Sequence, residues 1–185
     1  MTISLGESRR RARHRRALGY TAVAIGMYLS LWVGTSVIAP DWVRMPMLFV
    51  HLASVIAGLG ATVVLDVRAF FWTMGRATVE DLRRVEHAVT PVAWMGIVGL
   101  LVSGAFLAPD LHSPLPALKM TAVLVAALNG IAVGRLTDEL GRLPDQTRFW
   151  ALPARLRWWC LGTAATSQLA WWTAVIIGML NTTGR

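Results

Sequence analysis

Residues 46–65 read PMLFVHLASVIAGLGATVVL, an apolar run closed by Asp66 and Arg68, with His51 its sole ionisable side chain. A helix crosses the hydrocarbon of a bilayer in roughly 20 residues at 1.5 Å rise each. In lipid, every backbone N–H and C=O must be paired inside the segment, so a run of this kind reads as a helix. Four further runs have the same character: Ala17 to Ala39, Ala88 to Ala108, Pro114 to Gly134 (interrupted only by Lys119) and Trp158 to Leu180. Polar and apolar residues do not alternate along any of them, which speaks against a β-barrel. The expected fold class is therefore all-α: a polytopic membrane protein with five transmembrane helices. Spans two to five are expected to form a four-helix bundle core, with span one peripheral and residues 1–16 a basic arm.

Composition agrees. Of 185 residues, 55% are hydrophobic and only 15% charged, against about 25% charged in a typical soluble domain. The apolar content excludes disorder, and the single Cys160 excludes a disulfide scaffold. A signal peptide is the competing reading of the first run. Signal cores are about 7–15 residues long, however, and here Val37-Ile38-Ala39 is followed by Pro40, a poor cleavage context. The run is read as a retained helix.

The net charge of +8 could point to nucleic acid, so the positions of the arginines decide its meaning. Arg9, Arg10, Arg11, Arg13, Arg15 and Arg16 precede span one. Arg68, Arg76, Arg83 and Arg84 follow span two, and Arg135, Arg142, Arg148, Arg155 and Arg157 lie between spans four and five. With five alternating helices all fifteen fall on one side, while the other side holds Arg44 and Arg185. This is the positive-inside pattern, and it predicts a cytoplasmic N-terminus and an external C-terminus in a bacterial cytoplasmic membrane. The basic arm suits topology and anionic lipid. No aromatic platform or recognition helix accompanies it, so nucleic acid is not an expected partner.

The two arginine-rich connections are expected to run to about 20 residues each, with Thr78-Val79-Glu80-Asp81 starting a short helix through a capping box. The external connections, Asp41 to Met45 and Pro109 to Ser113, are too short to fold into a domain. Trp42, Trp72, Trp150, Trp158 and Trp159 fall near the expected interfaces. Trp32, Trp94, Trp171 and Trp172 fall deeper, where they could pack, face lipid or flank a flat ligand.

Ionisable groups at membrane depth are costly and mark candidate sites. His51 stands five residues into span two and Lys119 five residues into span four. Both spans run inwards, so the two share a depth of roughly 8 Å below the outer boundary. At 100° per residue His51 shares a stripe with Val55, Gly58 and Thr62, and Lys119 shares one with Ala122, Ala126 and Gly130. Such small-residue stripes either pack helices closely or leave room for a planar ligand. A ring nitrogen of His51 can ligate a metal or haem iron, or bond a neighbouring helix. Lys119 can hold a ligand carboxylate or snorkel to the interface. Met45, Met47, His51 and His112 form a second set of soft and imidazole ligands suited to Cu(I), although methionines at a helix start also serve as packing. At the inner end Asp66 faces the bundle, with Arg68, Glu86, His87 and Arg135 as candidate partners in an ion-pair lock or a proton path towards His51. Asn129 and Gln168 are expected to join helices.

Three stretches taken together resemble a known family. Leu48-Phe-Val-His51-Leu-Ala-Ser-Val-Ile-Ala-Gly58 is similar to the His-bearing helix of the bacterial membrane protoporphyrinogen oxidase family. Thr90-Pro91-Val-Ala-Trp-Met-Gly-Ile-Val-Gly-Leu-Leu-Val-Ser-Gly104 is similar to its next helix. Leu118-Lys119-Met-Thr-Ala-Val-Leu-Val, with Asn129-Gly130 and Gly134-Arg135, is similar to its Lys-bearing helix. The copper-resistance D membrane family has helices of similar style. The chain departs from the first family at Ala57, where Trp is usual, at Asn129, where a histidine is expected, and at 156–162, which lack an Asn-Glu-Pro element. In overall pattern it looks closer to a group of small bacterial integral membrane proteins. The resemblance implies haem b or a porphyrin at His51 and Lys119, with Gly58 and Asn129 beside it, and an oxidoreductase role.

Three readings follow. The first is a haem- or porphyrin-binding redox protein, the second a copper-handling protein, and the third a non-catalytic subunit that meets lipid and either a second copy or a larger membrane complex.

Overall fold

The computed structural model describes residues 5–107 and 114–183. Five long helices make up nearly all of it: α1 (Leu5–Ser36), α2 (Asp41–Thr73), α3 (Val79–Ala105), α4 (Pro114–Leu140) and α5 (Ala154–Thr183), with a 3-10 turn at Phe149–Ala151. Each of the five is long and apolar enough to cross a membrane. Their outward faces carry large apolar side chains such as Phe49, Ile56 and Leu169, each at least 70% exposed. Water would penalise such faces and lipid does not. The chain is a multi-pass membrane protein.

The core is assembled from pairs. α2 packs most extensively on α3, and α4 on α5, with α2 also against α5. α1 lies along the outside of α3 and α4. It turns Val23, Met27 and Ser30 inwards, a 4-then-3 spacing that keeps one face of a helix. The Ser30 hydroxyl donates to the Leu101 carbonyl at 2.6 Å, fastening α1 to α3.

The α2–α3 seam is set by missing side chains. A Cβ on Gly96 would lie 2.6 Å from the Gly58 Cα and 2.8 Å from the Ser54 carbonyl oxygen. One on Gly99 would overlap the Ser54 hydroxyl. Small residues at 54 and 58 on one helix and at 96, 99 and 103 on the other thus let the two backbones touch.

At the arginine-rich end the helices run further than hydropathy alone implies. α2 continues to Thr73 and α3 starts at Val79, so the link between them is 74–78 rather than about 20 residues. The capping box is present: Thr78 Oγ1 accepts from the Asp81 N–H at 3.3 Å, and Asp81 Oδ2 accepts from the Thr78 N–H at 3.0 Å. It starts α3 itself rather than a separate short helix. Gly75 at φ +73° makes the turn, a conformation in which a Cβ would be strained. Asp41 to Met45, expected as a loop, forms the first turn of α2. The reason is common to both ends: a helix stops at its cap, not where hydrocarbon stops. Residues 141–153 fold back beneath this end. There Trp72, buried to 1%, donates from Nε1 to the Thr147 carbonyl at 3.0 Å and meets the Phe149 ring edge-on at 5.2 Å.

Candidate functional site

His51 and Lys119 come together. Lys119 Nζ lies 3.2 Å from His51 Nε2, as their shared depth predicts. α2 and α4 are nevertheless not principal packing partners, so the two side chains bridge a diagonal of the bundle. His51 is buried, at 8% exposure, while Lys119 is partly exposed. A third member comes from α3. His51 Nδ1 lies 2.9 Å from Ser103 Oγ, and the Ser103 hydroxyl donates to the Gly99 carbonyl at 2.5 Å. Ser103 is fully buried.

These bonds dictate the tautomer. Ser103 has one proton, and it goes to Gly99, so Ser103 must accept from His51 Nδ1–H. Nε2 therefore carries the lone pair and accepts from Lys119. All three donors point the same way, from Lys119 through His51 and Ser103 to Gly99. Ser103 was not among the expected site residues. The signal for it is the spacing Gly96, Gly99, Ser103, which marks one small-residue face on α3.

The small stripes are filled by indole rings. Trp171 covers Gly58 so closely that a Cβ there would overlap its ring, and Trp94 sits 3.5 Å from the Cβ position of Gly130. Asn129 donates to the Thr163 carbonyl at 2.9 Å, tying α4 to α5. Gln168 donates to Asp66 at 2.6 Å, tying α5 to α2, and accepts from the Trp172 indole at 2.9 Å. Both residues join helices as expected.

The expected inner cluster takes other partners. Asp66 bonds Gln168, and Arg68 pairs with Asp81 at 2.9 Å. Glu86 accepts from Thr90 at 3.1 Å. Arg135 lies over the Trp159 ring at 5.6 Å, and His87 is exposed. No ion pair joins any two of these five among the described residues. On the other set, Met47 is one helical turn from His51, but Met45 is 71% exposed and six residues away, which turns it to another face. His112 lies outside the described residues.

A haem iron at His51 would need a ring nitrogen with an unused lone pair. Nδ1 carries its proton towards Ser103, and Nε2 is taken by Lys119. As packed here, the pair does not fit an axial haem. No family model matches the chain, and no curated protein or solved structure is similar to it.

Proposed function

We propose that this multi-pass protein uses the Lys119–His51–Ser103 line as an acid/base site for an anionic amphiphile of the porphyrin class. The observation that carries the reading is the 3.2 Å contact between Lys119 Nζ and His51 Nε2, made across the bundle at membrane depth. A cation and a base are costly to bring there and are functional by default. The porphyrin class comes from the resemblance of the His-bearing and Lys-bearing helices. The arginine distribution supports a bacterial cytoplasmic membrane with the arginine-rich end inside.

The geometry supports a specific sequence of events. Lys119 is the more exposed member, so an incoming carboxylate meets it first. An ammonium that turns to a carboxylate leaves Nε2, and the lone pair of Nε2 is then available to take a proton. Ser103 keeps Nδ1 protonated meanwhile, so the base stays in one tautomer. Ligand binding thereby unmasks the base.

The test uses protoporphyrin IX as a dicarboxylate probe, with quenching of tryptophan fluorescence as the readout. Lys119→Met is expected to weaken binding at least about 10-fold, the size of a lost charge-assisted hydrogen bond at roughly 1.5–3 kcal/mol. His51→Gln is expected to bind the probe nearly as well as the parent. Equal affinity in Lys119→Met and the parent would sink the proposal. A separate spectrum bears on haem. After expression with ample haem, the parent and His51→Ala should show the same Soret absorbance, and a band present only in the parent would restore His51 as an iron ligand.

A further inference from the structure

Two cavities lie at the arginine-rich end. The larger, of about 660 Å³, reaches from Arg15 of α1 to Asn129 and Trp171 at mid-bundle. The smaller, of about 300 Å³, is lined by Asp66, Thr163 and Cys160 among others. They share Thr62, Leu65, Glu86, Val133 and Ser167 as wall residues, so they adjoin. Hydroxyls, an amide and carboxylates in a space of this size can hold water, which needs only two to four polar partners.

Beyond the larger cavity the character of the interior changes. A narrow void between Leu100, Val123, Ala170 and Ala174 has no room for water. Trp171 lines both the cavity and the void, and its ring covers Gly58. Gly58 is seven residues from His51, and Gly178, next to the Lys119 ammonium, is seven residues from Trp171. At 1.5 Å per residue both steps are about 10 Å. The order along the bundle axis is thus cavity, indole, dry void and polar pair.

We infer that the arginine-end cavity is a water-filled half-path towards the His51–Lys119 pair, and that Trp171 is the plug that seals it. With the indole on Gly58 the pair has no water from this end. When the indole swings off, water from the cavity crosses the void and can deliver a proton to Nε2 of His51 or take one from it. The inference deepens the acid/base reading and rests on it for its purpose, but its geometry is tested separately.

The test is thiol labelling of the full chain in nanodiscs with a small charged methanethiosulfonate, after Cys160→Ser removes the native thiol. Thr62→Cys reports the cavity, and Ala174→Cys reports the void. Thr62→Cys should label readily. Ala174→Cys should label at least about 10-fold more slowly, and Trp171→Ala added to it should restore labelling. Trp171→Leu keeps an apolar side chain and serves if Trp171→Ala does not fold. Three results overturn the inference: an unreactive Thr62→Cys, an Ala174→Cys as reactive as Thr62→Cys with Trp171 intact, or an Ala174→Cys that stays inert in both Trp171 variants. None of these readouts depends on porphyrin binding, so failure here and failure of the acid/base reading are distinguishable.

Discussion

Gly96→Ala is expected to be the most damaging single-methyl change in the protein. The added Cβ would stand 2.6 Å from the Gly58 Cα, 2.7 Å from the Gly58 nitrogen and 2.8 Å from the Ser54 carbonyl oxygen. All three are backbone atoms of a long helix, and none can turn aside as a side chain would. α2 and α3 would have to part along the seam, and interiors absorb such overlap at a cost on the order of 3 kcal/mol or more. Separation would also move Ser103 away from His51. Thermal unfolding in detergent should show a large drop for Gly96→Ala. Gly60→Ala is the control. Its Cβ would meet nothing within 4 Å, and alanine is the better helix former by about 1 kcal/mol. A Gly96→Ala protein as stable as the parent would mean that the backbones of α2 and α3 do not touch at Gly96 and Gly58.

Trp72→Ala should come next. Trp72 is the largest fully buried side chain at the arginine-rich end, packed with Phe149, Val79 and Leu136. Truncating a buried tryptophan typically costs about 3–5 kcal/mol. The change would also leave the Thr147 carbonyl without the indole N–H. Because Val79 N–H donates to that carbonyl at 3.2 Å and Glu80 N–H to the Asp145 carbonyl at 3.1 Å, the start of α3 and the returning segment should loosen together. Limited proteolysis should then cut within 141–153. Trp72→Phe should recover much of the stability but not the hydrogen bond. A chain that resists cleavage after Trp72→Ala would show that the segment is held by something other than this ring.

Much of this architecture is legible in the sequence because a bilayer simplifies the problem. A long apolar run has essentially one option in lipid, so the five spans follow from hydropathy. The common depth of His51 and Lys119 follows from counting residues into two helices that run the same way. Thr78 and Asp81 announce a cap by local chemistry. Helix ends are harder to read, because Asp66 and Arg68 on one side and the charges at 80–86 on the other interrupt the apolar runs although residues 66–73 and 79–87 are helical. Partner choice was harder still. Asp66 could have met several cations, and it bonds Gln168 because α5 brings that amide across from more than a hundred positions away. The sequence marks Ser103 only through the small-residue face it shares with Gly96 and Gly99, and Trp171 only as one of four deep indoles, for the same reason. Which face of α3 meets α2, and which indole covers Gly58, are decided by packing between helices distant in the chain.

Ser103 and Gly99 belong at once to the hydrogen-bonded line and to the seam between α2 and α3. Thermodynamic linkage follows from that shared membership. Whatever binds at Lys119 and redistributes the bonds of His51 must also change how firmly two helices are joined. Occupancy of the site should therefore appear as a shift in melting temperature. Conversely, a change confined to the seam should alter affinity without touching a ligand. In this protein a mutational screen for folding and a mutational screen for binding would return overlapping sets of residues.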